Sequence, residues 1–576
     1  MTTATTTSNF KPWLESYPDF ADWDMPIVPE PAHAAFDRSV AAYPERICME
    51  FLGRTWTYRE TGTMMRAAAK GLQEQGIKKG DRVALMLPNT PYYIVLFHAV
   101  LLVGGVVVNI NPLYAQRELD DLIKDSRPHM LVTMDLEAMY PKARETVERN
   151  SVEKLLLCSM TDVLPWRKAV LFNIFRRKTL AQVEEGDGQI QFEDLIENDG
   201  VFTSVDIVPE DDLAVLQYTG GTTGIPKAAM LTHANVSANA IQVAAWYDNS
   251  KIGEEKFLAA LPFFHVFAMT VAMMTGLRYG AQIIMLPRFD LKTCLRAIAQ
   301  KKPTFFPAVP TIFTAINTFP KIKEYDLSSI KVCISGGAPL PMEVKKEFER
   351  ISGCVVVEGY GLSETSPVAT TNPTVGVNKA GSVGIPMPRT TIEIRSVEEP
   401  EKLMPLGERG EVCIRGPQVM QGYWENPDET AKAMQDGAFR TGDVGYMDED
   451  GYIFLVDRLK DIIIAGGYKI YPRIVEEAIY EHPAVAEVTV IGVEDKYRGQ
   501  APKAFIRLKE DESLTEAELK VFLKDKLSAI ERPDIYEFRD ELPKTLIGKL
   551  SKKELKAEEE GQEDVQEDRQ TEESAA

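Results

Sequence analysis

Little in this chain points to a disulfide scaffold, a zinc site or an export route. Its 576 residues include only six cysteines, Cys48, Cys158, Cys294, Cys333, Cys354 and Cys413. They fall at no paired spacing, so neither a disulfide framework nor a zinc site is supported, and a reducing cytosol fits. The first twenty residues are rich in Thr and Ser but lack a basic start followed by an apolar run, so no secretory signal is expected. Positive charge is in deficit: 65 Lys and Arg against 86 Asp and Glu leave a formal charge of −21. That balance argues against a nucleic-acid partner and favours solubility. Long apolar runs are scarce. The longest, Tyr92 to Val108, is 17 residues interrupted by His98, Gly104 and Gly105, which is marginal for a bilayer span. It follows the strand-like Val83 to Leu87 and then Pro88-Asn89, a turn and cap signal. The run is predicted to be a buried helix ending near Gly104-Gly105, followed by a short strand. No repeat of 20 to 50 residues is visible.

What the chain does have is a dense run of glycine and hydroxyl residues before a lysine, Tyr218-Thr219-Gly220-Gly221-Thr222-Thr223-Gly224-Ile225-Pro226-Lys227. Glycines let main-chain N–H groups approach oxygens closely, the threonines add donors, and Lys227 supplies a mobile cation, so the loop suits a polyphosphate. It is not a Walker loop, because Pro226 precedes Lys227 and Ala228 follows it. A second segment, Tyr360-Gly361-Leu362-Ser363-Glu364-Thr365, puts an aromatic ring, a hydroxyl and a carboxylate within one turn. Tyr360 can stack on a base, Ser363 can donate to a phosphate, and Glu364 can hold the oxygen-seeking Mg²⁺ that accompanies ATP. Thr441-Gly442-Asp443, Asp457-Arg458-Leu459-Lys460-Asp461 and Pro543-Lys544-Thr545-Leu546-Ile547-Gly548-Lys549 follow in that order.

With these five segments the chain resembles the adenylate-forming superfamily of acyl-CoA synthetases, firefly luciferases and peptide-synthetase adenylation domains. It is most similar to the long-chain fatty acyl-CoA synthetases. The resemblance spans roughly residues 30 to 555, and its specificity lies in the set rather than in any one segment. It implies an enzyme that activates a fatty acid with ATP and Mg²⁺ to acyl-AMP and then transfers the acyl group to CoA. By the resemblance, Lys549 is the adenylation lysine, and Glu364 and Thr219 serve the reacting phosphates. Asp443 accepts from the ribose hydroxyls, Arg458 assists at ribose or phosphate, and Lys460 is the hinge on which a small domain turns. Gly337-Ala338 and Glu358-Gly359, with Tyr360, flank the adenine. Gly466, Gly467 and Tyr468 form the loop brought toward the acyl-adenylate for the CoA step. His265, in Leu261-Pro262-Phe263-Phe264-His265, and Met269, where some relatives carry a gating Trp, are candidates for the acyl site. Each has a plain alternative: Asp443 as a turn residue, Arg458 as a surface ion pair, Glu364 as a solvated acid, His265 as structural, and the glycines as ordinary turns.

At this length more than one domain is expected. Alternating strands and helices over residues 80 to 365 predict α/β construction with substantially parallel sheet. Short β-rich segments from Thr391 to Tyr452 predict an antiparallel sheet or distorted barrel, and a small α+β unit follows residue 462. The expected fold is therefore α/β: a large N-terminal domain over 1–456, flexible over 1–25, a hinge at 457–462, a small mobile α+β domain over 463–555 and a disordered acidic tail over 556–576. Ala557 to Ala576 holds nine acids and one base. Leu164 to Lys178 departs from the acidic body, with Trp166, Phe172, Phe175 and five cations but no acid. Two readings stay open for it: contact with an anionic membrane surface, or a partly buried helix with basic snorkelling ends. Expected partners are fatty acid, ATP and CoA, with a homodimer open; the expected location is the cytoplasm, with peripheral contact at the inner face of the cell membrane open. A ligase for medium-chain or aryl acids, transfer of acyl-AMP to a carrier protein, a luciferase-like oxygenase and a non-enzymatic fatty-acid binding or uptake protein are the alternatives.

Overall fold

The computed structural model describes residues 11–560 apart from 185, 220–225, 248–249, 496 and 545–549. Two compact units are distinguished, Met1–Ile392 with Ile414–Phe439, and Glu393–Cys413 with Arg440–Ala576. The polar junction at 457–462 lies inside the second of them.

The first unit is built on an eight-stranded sheet ordered Gly422–Tyr423, Lys227–Thr232, Leu213–Thr219, Val106–Asn109, Arg82–Leu85, Met130–Met134, Lys154–Cys158 and Gln189–Gln191. The six strands from Leu213–Thr219 to Gln189–Gln191 run parallel, and the two at the other edge are antiparallel. Its middle strands read as unbroken apolar runs, Val106-Val107-Val108 and Met130 to Val132, because parallel strands covered on both faces have no side to give to water. The 17-residue apolar run divides as expected. Pro91–Leu102 is a helix with every residue buried, Gly104 turns at φ +73°, and Val106–Asn109 enters the sheet. A helix apolar all round belongs in a core rather than at a surface. Asn89 was expected to cap this helix, but Thr90 holds the N-cap position and Asn89 is buried in a different task described below.

Two further sheets complete the unit. Ile47–Phe51 and Lys256–Ala259 flank Gln282–Met285 in parallel, with Arg54–Thr57 added antiparallel. Val332–Ser335 and Val355–Gly361 pair in parallel, and Val368–Thr371 and Ile385–Pro386 extend them antiparallel. The first segment, expected to be flexible to residue 25, is anchored from residue 11 onward. Trp13 and Trp23 are buried, Trp23 Nε1 donates to Thr390 O at 2.9 Å, and Tyr17 Oη donates to Pro386 O at 2.7 Å. Burying two indoles outweighs the ordering cost that Thr- and Ser-rich composition suggests.

In the second unit, Ala438–Met447 pairs antiparallel with Ile453–Arg458. A further sheet pairs Val485–Asp495 with Gly499–Leu508, to which Ile463–Ala465, Tyr468–Ile470 and Ile535–Phe538 are added. Its helices include Pro472–Tyr480 and Glu516–Leu523, the second capped by Thr515, whose side chain accepts from Glu518 N. The acidic tail starts later than expected. Residues 552–560 are helical, Leu555 is fully buried, Lys556 pairs with Asp461 at 2.9 Å, Glu558 with Arg539 and Glu559 with Lys503, both at 2.7 Å. Charge composition alone misses fixed counter-charges folded against such a segment. Residues 561–576 lie outside those described. Among the described residues no helix is long and apolar enough to cross a membrane.

Three histidines of the first unit sit neutral. Burial pushes His98 and His265 down to about 4 and His233 to about 3. Unfolded histidine titrates near 6.5, so the stability these side chains contribute is present above that pH and is lost as pH falls toward 4, where the unfolded chain binds more protons. Each contributes at most on the order of 3–5 kcal/mol. Thermal melts should therefore show the transition of the first unit falling between about pH 7 and about pH 5, and His98→Met should flatten that profile.

Candidate active site

The glycine-rich loop leaves the sheet at Thr219 and returns at Lys227, and these two residues face each other as the last antiparallel pair of the hairpin. Gly220, Gly221, Thr222, Thr223 and Gly224 lie outside the described residues. Thr219 Oγ1 donates to Lys227 O at 3.3 Å, closing the hairpin base. Lys227 Nζ pairs with Glu429 and lies 5.5 Å from the ring centroid of Tyr423. That ion pair holds the Glu429 carboxyl down at about 2, with Lys227 as the first cause and Lys432 the next.

Tyr423 also reaches the second motif. Its hydroxyl donates to Glu364 Oε1 at 2.8 Å, and Met420 N donates to Glu364 O at 2.8 Å. Glu364 is buried, in the short turn Ser363–Thr365 after the strand Val355–Gly361. It is therefore not a solvated loop acid. The structure thus brings Thr219, Lys227 and Glu364 into one cluster through Tyr423 and Glu429, two residues that the sequence reading passed over. The available signal was the Gly422-Tyr423-Trp424 aromatic pair after a glycine; its strand pairing across to Ala229 is a long-range fact that spacing does not reveal. Buried desolvation and the neighbouring Glu364 charge both push the Tyr423 phenol well above its usual range, so it stays a neutral donor.

The parallel strands Val332–Ser335 and Val355–Gly361 end side by side, and their carboxyl ends carry the predicted adenine-flanking residues. Such ends are where open α/β sheets place ligands. Gly337 turns at φ +81°, Ala338 follows it half-buried, and Glu358 Oε1 accepts from Leu340 N at 3.0 Å. Gly359 and Tyr360 pair with Thr371 and Thr370. Gly361 is required by space rather than by φ, since an added Cβ would stand 1.8 Å from Pro367 O.

His265 is half-buried. Its Nδ1 accepts from Phe267 N at 3.2 Å, which leaves the neutral ring's proton on Nε2 as a donor. Met269 is buried in a π-helical stretch, Ala268–Met274, a form enriched at functional sites. Behind these residues runs a buried polar network. Asn89 Nδ2 donates to Ala259 O at 3.1 Å and Leu261 O at 2.7 Å, while Asn89 Oδ1 accepts from Phe263 N at 2.7 Å. Asn109 Nδ2 donates to Gln217 Oε1 at 2.9 Å and reaches Met269 Sδ at 3.5 Å. Gln217 Nε2 donates to Phe264 O at 3.1 Å. Asn89 thereby fixes the segment that presents His265. Asn89→Ala strands three buried main-chain groups, and a loss of about 2–4 kcal/mol in denaturant melts is expected.

In the second unit Asp443 is buried within a strand, not in a turn. It stands opposite Arg458 in the ladder, and Arg458 Nε lies 3.0 Å from Asp443 Oδ1. Thr441 Oγ1 accepts from Asp443 N at 3.0 Å and donates to Val412 O at 2.7 Å, which fixes the strand exit. Lys460 lies exposed in the short turn Leu459–Asp461. Gly466 and Gly467, at φ +57° and +84°, form the two-residue link between Ile463–Ala465 and Tyr468–Ile470, the conformation tight hairpins demand. Among the described residues, and apart from the chain neighbours, no atom lies within 4 Å of a Cβ added at either, and Tyr468 is 62% exposed. The turn reading and the functional one are compatible here. Lys549 lies outside the described residues; on either side, Lys544 bridges Leu550 and Ser551 N donates to Pro543 O at 2.9 Å.

A buried carboxylate, a hydroxyl and a lysine at the mouth of a glycine-rich hairpin suit a nucleoside triphosphate with a hard divalent cation. The family comparison agrees on the class. The AMP-binding enzyme family model matches residues 36–424, and the AMP-binding enzyme C-terminal domain model matches 474–549. The chain belongs to the AMP-binding enzymes, the adenylate-forming superfamily. Within it, the chain is 44% identical over 552 residues to a long-chain-fatty-acid–CoA ligase of Bacillus subtilis, covering 95% of this chain and 98% of that one. It is 37% identical over 562 residues to a protein of the same name from Escherichia coli O6:H1, covering 96% and 99%. Among solved structures, ATP-bound MatB from Rhodopseudomonas palustris matches with a TM-score of 0.79 at 28% identity, over 93% of this chain and all of that one.

Proposed function

We propose that the chain is an AMP-forming fatty acid–CoA ligase acting on long-chain acids. The observation that carries this is the 44% identity sustained over almost the whole of both chains. In the first half-reaction a carboxylate oxygen attacks the α-phosphorus of ATP, the bond to pyrophosphate breaks, and acyl-AMP forms. In the second the CoA thiol attacks the acyl carbonyl, the carbon–oxygen bond to phosphate breaks, and AMP leaves. The first transition state spreads negative charge over phosphate oxygens, and preorganised donors and cations stabilise it. Thr219, Lys227 and Ser363, with the loop 220–224, take the phosphates; Lys549 contacts the carboxylate and α-phosphate oxygens as a compact point charge. Glu364, with the Thr219 hydroxyl, would hold Mg²⁺, whose charge offsets that of the triphosphate. Gly337, Ala338, Glu358, Gly359, Tyr360 and Gly361 receive the adenine. Asp443, oriented by Arg458, accepts from the ribose hydroxyls. His265 Nε2 faces the acid group and Met269 lines the acyl channel.

The two half-reactions need different groups at one centre. In this reading residues 1–456 adenylate, 457–462 with Lys460 act as the hinge, and 463–555 turn to exchange Lys549 for the Gly466-Gly467-Tyr468 loop that serves CoA. A cytoplasmic enzyme, able to act as a homodimer and to work against the inner face of the cell membrane, fits the same reading. The test is ATP-, Mg²⁺- and CoA-dependent acyl-CoA formation across saturated acids from short to long chains plus a cinnamate and a benzoate, with pyrophosphate followed in parallel. A maximum at long chains is expected. A maximum at short or aromatic acids replaces the substrate class, pyrophosphate without thioester indicates transfer to a carrier, oxygen uptake or light indicates a luciferase-like oxygenase, and tight fatty-acid binding with no product indicates a non-enzymatic binding or uptake protein.

A further inference from the structure

The helix Trp166–Phe175 has no buried residue. A helix of this length is marginal in water by itself and ordinarily gains stability by burying an apolar face. Here the apolar face points outward. Trp166, Val170 and Ile174 recur every fourth residue as one stripe, and Leu171 and Phe175 continue the adjacent stripe begun by Arg167. These five apolar side chains are 72%, 51%, 64%, 53% and 77% exposed, in the order named. On the opposite side Ala169 and Phe172 are half-buried. The helix is therefore apolar on two sides, which is why its sequence shows poorly segregated faces, and most of its apolar surface is left to the outside.

Both ends are fixed. Lys168 Nζ donates to Leu52 O at 2.7 Å, and Arg54 donates to Asp162 O just before the helix. Beyond it, Glu137 N donates to Thr179 O and Ala181 N donates to Asp135 O, both at 2.9 Å, and Leu136 bridges Leu180. The helix is thus a held projection. Its charge selects the occupant. Leu164 to Lys178 carries five cations and no acid within a chain of net charge −21, so this is a local reversal on a body that otherwise repels anionic surfaces. A second copy of the chain, docking the same face on itself, would bring five cations against five. Trp, Phe and Leu among Lys and Arg is instead the composition of helices that lie in a bilayer interface.

We propose that Trp166–Phe175 is a docking helix for a lipid bilayer bearing anionic headgroups. The stripe Trp166, Val170, Ile174 with Leu171 and Phe175 enters the boundary between headgroups and acyl chains, and Arg167, Arg176, Arg177 and Lys178 meet the lipid phosphates, while Lys168 holds the helix to Leu52. This deepens the peripheral placement proposed above and does not depend on the acyl-CoA reaction.

The test uses the full chain with vesicles of phosphatidylcholine alone and of phosphatidylcholine mixed with phosphatidylglycerol. Trp166 is a built-in reporter, because Trp13, Trp23, Trp56 and Trp246 are buried and Trp424 is half-buried. Co-sedimentation with the anionic vesicles, weakened by added salt, is expected, together with a blue shift of emission and quenching by brominated acyl chains. Trp166→Phe should remove the optical signal and keep the binding. Val170→Asp with Ile174→Asp should weaken binding by roughly tenfold or more, with the circular dichroism spectrum and pyrophosphate release from dissolved short acids unchanged. No binding to anionic vesicles, equal binding to both vesicle types, or binding untouched by the double substitution would overturn the proposal. So would a dimer that the double substitution dissociates in sedimentation velocity while vesicle binding persists, since the occupant would then be a second copy.

Discussion

Lys549→Ala is expected to lower acyl-AMP formation by roughly a hundredfold to a thousandfold while leaving conversion of supplied acyl-AMP to acyl-CoA within a fewfold of the parent. The asymmetry follows from where charge develops. In adenylation the pentacovalent phosphorus and the incoming carboxylate crowd negative charge at one point, where a compact ammonium is worth most. In thioester formation the leaving group is already a phosphate monoester, so the same cation adds little. Exchange of labelled pyrophosphate into ATP reads the first half-reaction, and thioester appearance from synthetic acyl-AMP reads the second. Equal loss in both would remove Lys549 from this role. Lys552 serves as the control, because it pairs with Glu476 at 2.9 Å in the second unit. Lys552→Ala should lose stability rather than show the split between half-reactions.

The second large effect is expected at Glu364. Glu364→Gln keeps the shape and an acceptor for the Tyr423 hydroxyl, which lies 2.8 Å from Oε1, but it removes the negative charge. If the carboxylate serves a divalent cation, kcat should fall by roughly a hundredfold, and the Mg²⁺ concentration giving half-maximal rate should rise while the melting temperature changes little. Tyr423→Phe provides the contrast. It leaves the charge in place and strands one buried acceptor, at a cost of about 1–3 kcal/mol in stability, with a smaller effect on the Mg²⁺ dependence. A Glu364→Gln enzyme of ordinary rate beside a crippled Tyr423→Phe enzyme would make Glu364 a structural acceptor only.

The two predictions differ in how their residues came to light. Lys549 and Glu364 both belong to short segments that resemble the motifs of a known family, and such a resemblance can be seen without knowing what the segments fold against. Tyr423, Glu429 and Asn89 cannot be read in that way. Tyr423 reaches Glu364 across 59 positions, Glu429 reaches Lys227 across 202, and Asn89 reaches Leu261 across 172. Nothing in the spacing of one partner marks the other. Asn89 even carried a misleading local signal, a turn after Pro88, which the fold uses to aim its amide at a distant segment. Tail and start went astray for a related reason: composition reports the cost of ordering a segment but not the buried indoles, or the Lys503 and Arg539 side chains, that offset it.

The sequence by itself determined the chemistry on offer and much of the local structure. Continuous apolar runs select buried parallel strands and Gly466-Gly467 selects a tight turn, because each of these follows from properties of neighbouring residues, while the ordered set of phosphate, carboxylate and lysine segments pointed to adenylation through its resemblance to a known family. Only the tertiary structure decided which groups meet. It buried Glu364 against Tyr423, set Asp443 opposite Arg458, put the 261–265 segment on Asn89, and turned the apolar stripes of Trp166–Phe175 outward. The physical reason is range: turn preference and hydrophobic period act over a few residues, whereas burial and hydrogen-bond partnership are settled by packing between elements far apart in the chain.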